Sequence, residues 1–241
     1  MKFRLYASSS EGNLYSLNDG QTSILIECGV PYNEMTGLIG YPPTSFMACL
    51  VSHAHKDHSK SVKELVRRGV AVCCSEDTAR ATGILNHSFS VVLKPERETR
   101  IGTFDVMPFE CQHLDVGSGN RIPCFGYLIR SRVDGESMVF ATDTFYLPVK
   151  FPPIQIWAVE CNWATDLVPL DCPYRDRLFQ SHMGLHVLID ALRQNDLSRC
   201  REIHLIHISK SHGDPERFVK EIEAATGIPT YAAPRNIRRV P

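Results

Sequence analysis

His53-Ala54-His55-Lys56-Asp57-His58 decides how this chain is read. Four side chains able to ligate a transition metal fall within six positions. Zinc normally takes four ligands, so the string reads as about half of the shells of two ions. Before it, Phe46 to Ser52 is an apolar run of strand length. After it, Ser59 to Arg68 places Val62, Leu65 and Val66 at helical spacing, with Lys60, Lys63, Arg67 and Arg68 outside. The string is therefore expected on a strand-to-helix loop. Alternation along an extended backbone sends His53 and His55 to one side. The following turn swings Asp57 and His58 towards a second point, the geometry of a paired metal site.

The rest of the composition bounds the answer. With 241 residues, 43% of them hydrophobic, the chain can bury a sizeable core, and residues 1–241 read as one domain. A net charge of −1 makes no global electrostatic case for nucleic-acid binding and leaves only local patches. No apolar run reaches the length of a membrane span, and the N-terminus enters a strand pattern at once, without a signal-peptide layout. Nine scattered cysteines, with no Cys-x-x-Cys pair, point to a reduced, cytoplasmic protein without structural disulfides.

Strand patterns are expected at Phe3–Ala7, Leu14–Leu17, Thr22–Cys28, Val70–Cys74, Ser90–Leu93, Thr103–Glu110, Phe125–Ile129, Ser137–Ala141, Ile154–Glu160, Glu202–Ile208 and near Thr230. Helices are expected around Glu34–Ile39, after His58, over Glu76–Thr82, as one long element over Leu178–Arg193, and after Asp214-Pro215-Glu216. This order fits two sheets covered by outer helices.

A dinuclear site needs about three more protein ligands, best placed at strand ends. Cys111-Gln112-His113 ends one strand and offers His113 beside His53 and His55. Phe140-Ala141-Thr142-Asp143 ends another, and a carboxylate such as Asp143 can bridge two ions where a neutral imidazole cannot. Leu205-Ile206-His207 ends a third and offers His207 to accompany Asp57 and His58.

This set resembles the metallo-beta-lactamase fold superfamily. More narrowly, Ala7-Ser8-Ser9-Ser10-Glu11-Gly12-Asn13 followed by Ile24-Leu25-Ile26-Glu27-Cys28-Gly29 resembles the opening of its compact YycJ-type (WalJ-type) members, relatives of tRNase Z. The resemblance covers nearly the whole chain. It implies an α/β fold, the αβ/βα four-layer sandwich in a single domain, with a dinuclear centre at the sheet edge and DNA exonuclease-like activity. It assigns His53, His55 and His113 to one metal, Asp57, His58 and His207 to the other, and Asp143 to both. Glu160-Cys161-Asn162 and Ser181-His182-Met183-Gly184 fall where such proteins carry a Glu and a histidine outside the ligand set. The YycJ-type pattern continues after that histidine with a Ser and an Asn, where this chain has Gly184 and Leu185. The interval from Asp143 to His207 is too short for the domain inserted in the RNase J branch, and no Gly/Pro-rich arm resembles the tRNA-gripping arm of tRNase Z.

Two divalent ions would make a hydroxide from a shared water and clamp an anionic transition state. Zinc suits the imidazole-rich shell, and mixed imidazole and carboxylate sites also hold manganese or iron. Asp57 is the candidate to orient the nucleophile. His182, paired with Glu160, is the candidate proton donor, and His186 stands in reserve one helical turn on. Lys210, His212, Arg175, Arg177, Arg235, Arg238 and Arg239 are candidate contacts to a nucleic acid or small phosphodiester, while His204 alternates away from the site. The alternative is a small ester or thioester hydrolase of the lactonase or glyoxalase II kind, which shares the ligand set.

Overall fold

Turn residues punctuate the N-terminal segment into three short strands, β1 (Lys2–Ala7), β2 (Leu14–Asn18) and β3 (Ser23–Ile26), which pair antiparallel. The computed structural model describes residues 1–114, 120–147 and 149–232. Crossovers through α1 (Tyr32–Ile39), then α2 (Lys56–Ser59) with α3 (Val62–Arg67), then α4 (Glu76–Ala81) add β4 (Ala48–Leu50), β5 (Ala71–Cys74) and β6 (Ser90–Val92) in parallel. The second sheet repeats the plan. Here β7 (Thr99–Ile101), β8 (Phe104–Leu114), β9 (Arg121–Ser131) and β10 (Ser137–Ala141) run antiparallel. The parallel strands β11 (Ile156–Glu160), β12 (Glu202–Ile206) and β13 (Thr230–Ala232) follow, with α5 (Arg175–Ser181), α6 (Leu185–Arg193) and α7 (Pro215–Thr226) between them.

The parallel strands are apolar on both faces because each face is covered. In β3, Ile24 and Ile26 meet the facing sheet while Leu25 meets helices. In β10 and β11, Met138, Phe140, Ile156 and Ala158 join that central core, and Val139, Trp157 and Val159 turn outward under α6 and α7. Leu65 and Val66 of α3 cover the first sheet, and Leu188 and Phe218 cover the second. The architecture is the αβ/βα sandwich expected from the sequence.

Two expected helices break in two. Helical structure after β4 begins at Lys56 rather than Ser59, which puts Asp57 and His58 in the first turn of α2 and leaves only His53 to His55 on the connecting loop. The expected helix over Leu178–Arg193 divides into α5 and α6 because His182 and Gly184 adopt extended backbone. Gly184 lies flat against the Trp163 ring, where an added Cβ would stand 2.6 Å from it. Continuous helix there would drive a side chain into that indole. The strand β7 had no clear sequence signal: Thr99-Arg100-Ile101 is short and half polar.

Candidate metal centre

Three non-glycine residues with left-handed backbone stand one or two positions past strand ends, and all reach the same spot: Glu27 (φ 62°), Asp143 (φ 48°) and His207 (φ 53°). Such a conformation is strained for a side-chain-bearing residue and persists only where the surroundings impose it. Here it stops a strand and turns its last polar side chain across the end of the sandwich. The loop after β4 brings His53 and His55, α2 brings Asp57 and His58, and the end of β8 brings His113.

The structure brings the seven candidate residues together. His53, His55, His113 and Asp143 form one group and Asp57, His58 and His207 another, each with donor atoms within 4.8 Å of one another. His113 Nε2 lies 3.3 Å from His55 Nδ1, and His53 Nε2 lies 3.4 Å from Asp143 Oδ2. In the other half, His58 Nε2 is 3.2 Å and His207 Nε2 is 3.5 Å from Asp57 Oδ2. Asp143 faces both: Oδ2 is also 3.4 Å from His58 Nε2, and Oδ1 is 3.4 Å from His207 Nε2. A tetrahedral ion with bonds of about 2.0–2.1 Å spaces its ligand atoms about 3.3–3.4 Å apart. The observed separations match that edge length. His53 Nε2 is buried without a hydrogen-bond partner, which is costly unless a cation takes its lone pair. The donor set therefore fits divalent cations.

The far nitrogens of the rings are held. His53 Nδ1 is 2.9 Å from the Ser52 hydroxyl, and His113 Nδ1 is 3.3 Å from the Ser181 carbonyl. His207 Nδ1 is 3.2 Å from Glu160 Oε1, and His58 Nδ1 lies 3.4 Å from Glu27 Oε2. Such contacts fix ring orientation and tautomer. Glu160 does more: Oε1 also meets His182 Nδ1 at 2.7 Å, and Oε2 accepts the Thr144 and Met183 N–H groups. The His182 ring stacks on His207 with centroids 5.4 Å apart and an interplanar angle of 9°. The break between α5 and α6 thus places His182 against the cluster. His186 is exposed on α6 and meets the Trp163 ring edge-on, so it is no substitute.

The electrostatics follow the geometry. Burial alone would raise Asp143, but His207 and His58 beside it hold its carboxyl well below the usual range. Burial likewise opposes ionisation of Asp57, and His207 and His58 again win, pulling it down. Burial lowers His53 and takes His113 down to about 4. His58 and His207 move the other way. Burial would lower both, yet Asp143 and its neighbours raise them, His207 to about 10.

The two N-terminal segments quoted from the sequence acquire roles here. An added Cβ on Gly29 would stand 1.6 Å from the Asp57 carbonyl oxygen, so only glycine lets α2 dock. Cys28 N–H donates to the His58 carbonyl, and Asn13 N–H donates to that of Asp57. The Ser8 hydroxyl accepts the His207 N–H and meets the Tyr15 hydroxyl, which donates to Asn13 Oδ1. Glu27, Ser52, Ser8 and Asn13 were not singled out as functional from the sequence. Glu27 carried one usable signal, a carboxylate directly after the apolar run Ile24-Leu25-Ile26.

Other expected contacts fare less well. His212 is buried, with Nδ1 donating to the Leu167 carbonyl and Nε2 meeting the Tyr174 hydroxyl at 3.1 Å, so it has no nitrogen left for a phosphate. Lys210 is exposed and pairs with Glu11 at 2.5 Å. Arg175 and Arg177 lie over the Phe179 and Tyr174 rings. His204 packs between Phe3 and Tyr231, away from the site as expected. Arg235, Arg238 and Arg239 lie outside the described residues.

The family model of the beta-lactamase superfamily domain matches residues 24–208, which hold every one of these ligands. The chain belongs to the beta-lactamase superfamily. With this ligand set, it is a metal-dependent hydrolase of that fold. It is 25% identical over 93% of its length to exodeoxyribonuclease WalJ of Streptococcus pneumoniae, of which 86% is covered. Among solved structures, the metallo-beta-lactamase fold protein YhfI from Bacillus subtilis superposes with a TM-score of 0.75 at 16% identity, covering 96% of this chain and 95% of that one. Yeast PDE1 superposes at 0.72 with 12% identity, covering 96% and 97%. No described helix of this superfamily member is long and apolar enough to cross a membrane.

Proposed function

We propose that the chain is a dinuclear metal-dependent phosphodiesterase or nuclease that acts as a DNA exonuclease. His53, His55 and His113 would hold one cation and Asp57, His58 and His207 the other, with Asp143 shared between them. Zinc suits this imidazole-rich set, and manganese or iron is compatible with its carboxylates. Bound there, two such ions supply Lewis acidity and an acidified water. Asp57 keeps its charge despite partial burial, so it can orient an attacking oxygen by accepting its hydrogen bond. His182 does what none of the ligands can. Its Nδ1 is fixed on Glu160, and its ring is 17% exposed where the neighbouring His207 is 5% exposed, which leaves Nε2 to give a proton to the departing oxygen.

The likeness to an exodeoxyribonuclease is the observation that carries the phosphodiester reading over lactone or thioester hydrolysis, and the Glu160–His182 pair serves its leaving group. An alkoxide leaving group needs a proton donor on the side away from the nucleophile, and a buried carboxylate holding an otherwise uncommitted imidazole provides one. The likeness to an exodeoxyribonuclease over nearly the whole chain supports a nucleic acid as the substrate.

The test uses protein reconstituted separately with zinc and manganese, given end-labelled single- and double-stranded DNA and RNA, bis(p-nitrophenyl) phosphate and an acyl lactone, with Asp143→Ala as the blank. Metal-dependent degradation of DNA, absent in the blank, is expected. Turnover of the lactone with every phosphodiester intact would overturn the proposal.

A further inference from the structure

Tyr15 of β2 is fully buried in the core between the two sheets. Its ring stacks on Phe3 of β1, with centroids 5.7 Å apart, and meets Phe140 of β10 edge-on at 5.4 Å. The strand β10 is the one that delivers Asp143. These two rings fix the third, so the Tyr15 hydroxyl is held at the end of the sandwich against Ser8 and Asn13.

The partners in this group fix the direction of every proton. Asn13 Nδ2 lies 3.0 Å from the Asp57 carbonyl oxygen and 3.1 Å from that of Ser9, and two carbonyls can be met only by the NH2 of the amide. Asn13 Oδ1 is therefore on the other side, where it accepts from the Tyr15 hydroxyl at 3.0 Å. Burial raises that hydroxyl above the usual phenol range, so it has the proton to give. With its one proton spent, Tyr15 Oη accepts from the Ser8 hydroxyl at 2.7 Å. Ser8 Oγ in turn accepts the His207 N–H at 2.8 Å. The result is a single chain of donors, from His207 through Ser8, Tyr15 and Asn13 to the Asp57 carbonyl, in which each bond polarises the next. Both hydrogens on Asn13 Nδ2 go to carbonyls, so it makes no demand on His58 Nε2, 3.3 Å away.

The chain starts on one candidate ligand and ends on the turn of α2 that carries two more. His53 and His113, in the other half, hang instead on Ser52 and the Ser181 carbonyl. His207 also has left-handed backbone (φ 53°), a conformation that its surroundings must impose, and Ser8 grips its N–H. We propose that Tyr15 is the positioning residue of the Asp57, His58 and His207 half: its hydroxyl closes the chain that sets His207 against α2 at the spacing of one cation's shell. This rests on the two-cation reading of the centre. Tyr15 touches neither cation nor substrate and acts only through Ser8 and Asn13.

Tyr15→Phe keeps the ring between Phe3 and Phe140 and deletes one oxygen, while Ser8→Ala cuts the chain at the next link. Competition of the full-length protein with a chromophoric chelator should show one zinc ion weakened by about tenfold or more in each variant and the other unchanged. The double variant should lose no more than the larger single loss, because a chain cut twice is no more broken than a chain cut once. With cobalt(II) in place of zinc, the visible bands of one ion should shift in Tyr15→Phe and those of the other should hold. In the metal-free protein, hydrogen exchange of the His207 N–H, followed by NMR, should speed up in both variants. Equal weakening of both ions, additive losses in the double variant, or zinc binding and His207 exchange unchanged by Tyr15→Phe would overturn the proposal. Faster His207 exchange in Tyr15→Phe, in a protein that binds no zinc with or without the substitution, would uphold Tyr15 as the residue that positions His207 and sink the two-cation reading instead.

Discussion

Behind His53 and His113 stand a serine hydroxyl and a main-chain carbonyl, whereas behind His58 and His207 stand two buried carboxylates, Glu27 and Glu160. The imidazoles are alike, and their backing is not. A carboxylate behind a ligand raises the ring's basicity and adds negative charge close to the ion. In the protein without metal, burial pushes His53 and His113 towards neutrality, while Asp143 first, and Glu27 and Glu160 after it, raise His58 and His207 so that they hold protons. In one half of the centre, His53 and His113 are ready neutral donors. The other half demands positive charge and takes protons until a cation replaces them.

Asp143 is the element common to both halves, so Asp143→Ala should have the largest effect, loss of metal-dependent activity and of at least one ion with the fold retained. Metal analysis and circular dichroism check this, and full turnover would break the account of a joined centre. His182→Ala should leave both ions in place and slow cleavage by about a hundredfold or more. An unchanged rate would reduce His182 to a packing residue on His207. Glu27→Gln then tests the asymmetry itself. It should weaken the ion held by Asp57, His58 and His207 by about 10–100-fold and leave the other half alone. Ser52→Ala, the matching change behind His53, removes one neutral hydrogen bond worth about 0.5–1.5 kcal/mol and should weaken its ion by only about 2–10-fold. Competition with a chromophoric chelator measures both variants, and equal losses would erase the distinction.

The candidate ligands were legible in the sequence because they are chemically distinctive residues at strand ends, and strand ends are visible as interruptions of apolar runs. Asp143 and His207 each come within two residues of such a run, and His113 stands at the end of the alternating strand β8. Glu27 follows one too, but a lone carboxylate there reads equally well as a polar cap. Only the fold shows that β3 and β4 are neighbours and that Glu27 lies behind His58. The break at His182 was hidden for a different reason. Leu178, Leu185, Leu188 and Leu192 keep a helical period across it, although Leu178 packs with Trp163 and Val168 and the other three pack on the second sheet. The period says nothing of Trp163, the distant residue that flattens the chain at Gly184. His212 was misread because its partners, Leu167 and Tyr174, lie far off in sequence.

The asymmetric two-cation centre is tested most directly by calorimetric titration of the metal-free protein with zinc at neutral pH, repeated in buffers of different ionisation enthalpy. Two equivalents should bind. One should release about two protons, from His58 and His207, because both are raised when the metal is absent. Its affinity should climb with pH until about 10, the value to which His207 is raised. The same shift contributes stability to the metal-free fold below the ordinary histidine range, and that contribution is lost as pH rises through about 10. The other equivalent should release almost none, since His113 is neutral above about 4 and His53 is held low as well. A single equivalent, or two equivalents with the same proton release, would contradict this account.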